Sequence, residues 1–253
     1  MRADGRSPEQ LRRYTIEPGF IRASLGSALI SAGRTRVICT ANLEAKPPGW
    51  LKSGGWVTAE YSMLPGATRP RGRRDPGGRG KEIQRLIGRS LRAAVNLSAL
   101  VDDAQAQPLS LIIDCDVIEA DGGTRTASIT GGYVALALAV ASLRRQGRLQ
   151  RSPLSGAVAA VSVGLVALGA DAPPSPVLDL PYEEDSRAHA DVNIVMRAGG
   201  GLIEVQGTAE NGTFDRAELS RMLDLATAGC NQLFALQSDA IERGLASASG
   251  DAP

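Results

Sequence analysis

The chain has 253 residues, 43% of them hydrophobic, and a formal net charge of +1. That length and apolar content suit one large or two small globular domains, and the near-neutral total excludes a molecule working by whole-surface charge, so local patches carry any electrostatic role. A single histidine, His189, and three scattered cysteines, Cys39, Cys115 and Cys230, argue against a histidine triad, a multi-histidine zinc site and a disulfide framework.

The thiols are expected to be reduced and mostly buried, as in a cytoplasmic protein. The first 15 residues hold no apolar signal core. The longest apolar stretch, 133–143, is shorter than a bilayer requires, so no membrane is expected. Residues 34–42, RTRVICTAN, read as a strand and 56–61 as another. Residues 63–80 are rich in Gly, Pro and Arg and read as an exposed loop, with 64–78 expected to be mobile. Its arginines, Arg69, Arg71, Arg73, Arg74 and Arg79, repel one another unless an anion is near. The helical spacing of Ile83, Leu86, Ile87, Leu91, Ala94 and Val95 predicts a helix over 81–97.

Residues 111–117 alternate, with Ile113 and Cys115 on one face and Asp114 and Asp116 on the other, as in a half-buried strand. A helix is predicted over 129–145. Strands are predicted over 157–168, 177–180, 191–197 and 202–206, then a helix over 215–243 and a frayed tail over 244–253. Clustered strands separated by helices indicate an α+β fold rather than a doubly wound sheet. One domain over 1–253, with its core at about 10–243, is expected.

Four places carry chemistry. The first is DCDVIEADGGTRTASIT, residues 114–130, where a strand breaks at Gly122-Gly123 and presents Thr124 and Arg125 before a helix. Glycines admit close approach, the first helical N–H groups are unpaired donors, and arginine offers two parallel contacts, which suits a phosphate-sized anion. Such an arginine also serves simply to cap turn carbonyls. The second is Gly77-Gly78-Arg79-Gly80, where a second arginine precedes a helix. Two arginines at separate helix starts can clamp one inorganic phosphate; a solvated loop arginine is the plainer alternative.

The third is the acidic segment 182–191. Asp185 and Asp191 lie six residues apart, and a turn between them lets both carboxylates face one point. Oxygen ligands with open water positions suit Mg²⁺ or Mn²⁺, although acidic runs are commonly plain surface. The fourth is the loop Arg69, Arg71, Arg73 and Arg74. Flexible arginines with few aromatics suit phosphate-backbone contact rather than base reading, or solubility alone. Residues 204–210 end a strand, and their polar ends either line the site or support the sheet.

In order along nearly the whole chain, GRTRVICTA, WVTAEYSMLP, EIQRLIGRSLRA, DCDVIEADGGTRTASITGGYVALA, VAAVSVGLV, LDLPYEEDSRAHADVNIVM and IEVQGTAENGTFDRAEL resemble the ribonuclease PH family. The resemblance implies a βαβ fold of the ribosomal-protein-S5-domain-2-like kind. It also implies a phosphorolytic 3′-to-5′ exoribonuclease, a tRNA nucleotidyltransferase. There, inorganic phosphate attacks the last phosphodiester of a tRNA precursor or other RNA 3′ end, and a nucleoside 5′-diphosphate leaves. The reverse reaction adds nucleotides.

The family's phosphate-binding arginine falls on Arg79 and its Gly-Thr-Arg phosphate site on Gly123, Thr124 and Arg125. Its divalent-ion pair falls on Asp185 and Asp191, and its tRNA-gripping loop on Arg69 to Arg74. The implied assembly is a homohexamer, a trimer of dimers. This chain has Gly66 where many relatives have Arg, and Gly80 where many have Thr. The competing readings are a catalytically silent RNA-binding subunit of an exosome-like ring and a hydrolytic nuclease.

Overall fold

The computed structural model describes residue 2 and residues 4–74, 77–169, 172–210 and 212–250. Eleven strands and four α-helices are named among these residues. The strands are β1 (Tyr14–Pro18), β2 (Gly26–Ala32), β3 (Thr35–Leu43), β4 (Trp56–Met63), β5 (Val101–Asp102), β6 (Gln107–Pro108), β7 (Ser110–Glu119), β8 (Val158–Ala167), β9 (Pro174–Leu178), β10 (Ala190–Arg197) and β11 (Gly201–Ala209). The helices are α1 (Gly77–Arg92), α2 (Thr124–Arg145), α3 (Tyr182–Asp185) and α4 (Arg216–Gly250).

Two sheets organise these elements. One has the order β1-β2-β3-β7-β4, the other β11-β10-β8-β9, and β5 and β6 form a small hairpin. All pairings are antiparallel except β4 with β7, which run parallel with α1 between them in sequence, a βαβ unit. The fold is α+β. The alternation read in 111–117 is present: Ile113, Cys115 and Val117 are buried while Asp116 is exposed. Asp114 and Asp116 therefore lie on the sheet's other face.

Helix α2 packs against β2, β3 and β7 of the first sheet, β8 of the second, and α4. It is apolar around most of its circumference, as a helix enclosed on all sides must be. By length and composition it is apolar enough to cross a membrane. However, 89% of its apolar window is buried inside the protein, which marks it as the core helix. One hydrophobic cluster runs from Ile30 and Cys39 through Leu136 and Val140 to Val161, Ile194, Met222 and Leu233, joining both sheets. The three cysteines are free and buried within it.

Two of the expected helices, α1 and α2, start earlier than expected. α1 begins at Gly77, not 81, so the glycine run forms its first turn and places Arg79 inside it. It ends at Arg92, with Arg89 and Arg92 complementing the negative end of the helix. α2 begins at Thr124, not 129, directly after Gly123, whose φ of 68° is left-handed. α4 starts where expected because Asp215 and Glu218 cap it reciprocally. The Glu218 N–H donates to Asp215 Oδ1 at 2.7 Å, and the Asp215 N–H to Glu218 Oε2 at 2.8 Å. It continues as helix through 244–250, where fraying was expected. Strands β1 and β2 and the single turn of α3 were not anticipated. In the loop before α1, Pro65–Ala67 form a 3₁₀ turn and the Ala120 N–H donates to Ala67 O at 3.0 Å, while positions 75 and 76 lie outside the described residues.

Candidate active site

The site lies where three chain segments meet. The Asp121–Gly123 turn follows β7 and delivers Thr124 and Arg125 into the first turn of α2. No side chain caps that helix start, so its first N–H groups remain donors. Gly122 has a φ of 74°, and a Cβ there would lie 2.7 Å from Leu180 O and from the Tyr182 nitrogen. Only glycine lets the turn press against the segment that leads into α3. That segment ends in Asp185, and β10 begins one residue before Asp191.

Arg79 is exposed, Arg125 half-buried, and Asp185 and Asp191 half-buried. The four charges act on one another. Burial raises the Asp185 carboxyl, while Arg125 and Arg79 pull it down. Burial and then the neighbouring Asp185 charge push Asp191 up to about 6, against the pull of Arg125 and Arg79, with Glu210 adding to the rise. Burial also raises the Tyr61 phenol, against the pull of its hydrogen bond to Thr124 and of Arg125 and Arg79. Two arginines on separate helices, α1 and α2, thus act electrostatically on one carboxylate pair and one phenol.

Hydrogen bonds fix the rim. The Tyr61 and Thr124 hydroxyls are 2.9 Å apart. Arg125 Nη1 donates to Gln206 Oε1 at 3.1 Å, and Gln206 Nε2 donates to Glu82 Oε1 at 2.8 Å. Asp191 Oδ1 is buried without a hydrogen-bond partner. A buried carboxylate oxygen left unpaired beside a second carboxylate is a fit for a divalent cation. Among the described residues no group of three or more His, Cys, Asp or Glu side chains gathers for a metal. Two carboxylates, with water and substrate oxygens for the rest, match the ordinary habit of Mg²⁺.

Two family models match the chain. The first, described as 3′ exoribonuclease family, domain 1, covers residues 10–142, and the second, domain 2 of the same family, covers 156–229. The chain belongs to the 3′ exoribonuclease family. It is 51% identical over 249 residues to ribonuclease PH of Corynebacterium diphtheriae, covering 96% of this chain and 98% of that protein. It is 50% identical over 248 residues to ribonuclease PH of Nocardia farcinica, covering 95% and 92%. Its activity is that of a phosphorolytic 3′-to-5′ exoribonuclease.

Among solved structures, it matches rice Rrp46 with a TM-score of 0.74 at 18% identity, over 95% of this chain and all of that one. It matches an Archaeoglobus fulgidus exosome with RNA bound to the active site with a TM-score of 0.74 at 22% identity, over 90% and 89%. At these identities the likeness is one of fold. The join between the family's two matched stretches, 143–155, takes in the last three residues of α2 and most of the connection to β8.

Within this 3′ exoribonuclease, Gly123, Thr124 and Arg125 sit at the start of α2 against the segment that leads to Asp185 and Asp191, and Arg79, in the first turn of α1, acts electrostatically on both carboxylates. Arg69, Arg71, Arg73 and Arg74 are exposed on the loop before α1 and form no ion pair with a described residue. Tyr61 was not assigned to the site from sequence, and Gln206 was read only as part of 204–210, a strand whose polar ends either line the site or support the sheet. Their only signal was a polar tip near the end of a strand, which most strands share.

Proposed function

We propose that Arg79, Arg125, Thr124 and the uncapped start of α2 hold inorganic phosphate beside the terminal phosphodiester of a tRNA precursor or other RNA 3′ end. The observation that carries this reading is the Arg125–Gln206–Glu82 hydrogen-bond relay, which ties the start of α2 to the first turns of α1 that bear Arg79, beside the buried and unpartnered Asp191 Oδ1. A phosphate oxygen attacks the phosphorus of the last linkage. The 3′ oxygen of the penultimate nucleotide leaves, and the last nucleotide departs as a nucleoside 5′-diphosphate.

Repulsion between the incoming dianion and the polyanionic substrate is the main obstacle. An unlike charge pair at about 4 Å is worth roughly 4 kcal/mol at an effective dielectric near 20, and desolvation offsets part of it. Arg79 and Arg125 place this attraction before the reaction begins, so catalysis here is positioning plus electrostatic preorganisation. The Tyr61 phenol orients the Thr124 hydroxyl at the rim. Asp185 and Asp191 would hold Mg²⁺ or Mn²⁺, which neutralises charge on phosphate oxygens when bound. The exposed arginines 69, 71, 73 and 74 would hold the tRNA backbone, and the working assembly would be a homohexameric ring.

The test is to incubate RNA with the protein and Mg²⁺, with and without phosphate. Nucleoside diphosphate formed only with phosphate is expected. Nucleoside monophosphate formed without it would indicate hydrolysis. Binding without turnover would indicate a silent ring subunit.

A further inference from the structure

The N-terminal segment carries a buried arginine that touches both halves of the site. Arg12 spreads its guanidinium over Asp179, with Nη2 2.7 Å from Oδ1 and Nε 3.0 Å from Oδ2, while its backbone N–H donates to Oδ2 at 2.7 Å. The same guanidinium reaches the glycine turn. Nη1 donates to Asp121 O at 2.5 Å, and Nη1 and Nη2 both lie 3.5 Å from Gly122 O. A Cβ on Gly123 would sit 2.9 Å from Arg12 Nη2, so the turn is moulded around this side chain.

Asp179 sits at the other end of the tie. It is fully buried and has a φ of 57°, a left-handed backbone that aspartate tolerates but seldom adopts. Tyr14 donates to its Oδ1 at 3.1 Å. From Asp179 the chain runs through Leu180 and Pro181 straight into α3 and Asp185. A strained residue held by a buried two-pronged ion pair, a few residues from a reactive carboxylate, is a feature to explain by function.

We propose that Arg12 is a positioning residue for phosphorolysis, joining the turn that presents Thr124 and Arg125 to the segment that presents Asp185. The anion-holding and cation-holding groups then keep a fixed spacing through one buried guanidinium. The proposal rests on the phosphate and metal assignments made above. It differs from the role of Arg2, which is also buried. Arg2 pairs with Glu184 at 2.7 Å and donates to the carbonyls of Leu178 and Asp179, but has no bond to the glycine turn.

The experiment is steady-state kinetics of Arg12→Lys against phosphate and against Mg²⁺, with RNA affinity measured in the absence of phosphate. Lysine keeps a charge beside Asp179 but lacks the planar fork needed to reach the turn as well. We expect kcat to fall on the order of 10- to 100-fold, as misplacement of reacting groups does, with the half-saturation values for phosphate and Mg²⁺ both rising and RNA affinity unchanged. A fall in kcat alone, with both half-saturation values intact, would mean a smaller active fraction and would overturn the proposal; so would unchanged kinetics. If Arg12→Lys does not fold, the neutral pair Arg12→Gln with Asp179→Asn carries the same test without leaving a lone buried charge, since asparagine also tolerates the left-handed backbone. Arg125→Ala is run alongside. If it moves the phosphate half-saturation and the Arg12 variants do not, Arg12 alone is misassigned; if it does not, the anion site is misassigned and the proposal falls with it.

Discussion

Arg125 on α2 is steadied by Gln206 on the edge strand of the other sheet, through a 3.1 Å hydrogen bond from Nη1 to Oε1. The amide of Gln206 also donates to Glu82, three residues beyond Arg79 on α1. One side chain therefore links the two arginine-bearing helices. This relay fixes an arginine that otherwise has the freedom of a long, half-exposed side chain.

Replacing Gln206 with leucine keeps the bulk and removes both hydrogen bonds. A hydrogen bond to a charged group of this kind is worth about 1.5–3 kcal/mol at most. The phosphate half-saturation value of Gln206→Leu is expected to rise about 10-fold and at most about 150-fold, with the melting temperature nearly unchanged. Initial rates across a phosphate series check this.

Arg125→Ala removes a charge placed where negative charge accumulates. Loss of a preorganised electrostatic donor commonly lowers kcat about 10²- to 10³-fold, and a raised phosphate requirement should accompany it. Circular dichroism should show the fold intact, because Arg125 contributes no core contact. Unchanged phosphate kinetics would remove Arg125 from the site.

Acidity should act on the metal site through Asp191. Its carboxyl is pushed up to about 6 in the folded chain from the ordinary aspartate value of 3.8, chiefly by burial and the Asp185 charge. The fold therefore favours the protonated form. The stabilisation this provides is full below the unfolded value, and it is lost as pH rises through about 6. Divalent cation needs the ionised form, so Mg²⁺ affinity should fall about tenfold per pH unit below about 6. Calorimetric Mg²⁺ titrations at about pH 7.5 and about pH 5 check this. In metal-free protein, Asp191→Asn should raise the melting temperature at the higher pH and leave it nearly unchanged at the lower.

Arg71, Arg73 and Arg74 are exposed ahead of α1. If they meet phosphates, changing all three to glutamine should weaken tRNA binding and reduce the slope of log K against log salt by about two to three. Turnover on a short oligonucleotide should stay close to that of the parent chain. An unaltered slope would leave the loop a solubilising one.

What could be read beforehand followed from local rules. GGTRT was legible because two glycines and a helix start need no distant partner to be recognised, and the strand 111–117 because its alternation is local. The start of α1 was misplaced because Gly77, Gly78 and Gly80 have poor helix propensity. Their place in the helix goes with the packing of Ile83, Leu86 and Ile87 in the core. Tyr61, Gln206 and Arg12 act through partners 63, 81 and 167 positions away. No spacing in the chain announces such contacts, since each depends on how α2 sits between two sheets.

The central claim is that Arg79 and Arg125 share one tetrahedral anion. A crystal structure of the protein soaked with inorganic phosphate tests it most directly. The account predicts a phosphate with oxygens about 2.7–3.0 Å from both guanidiniums and from the N–H groups at the start of α2. Phosphate bound elsewhere, with Arg79 and Arg125 too far apart to reach one anion, would contradict it.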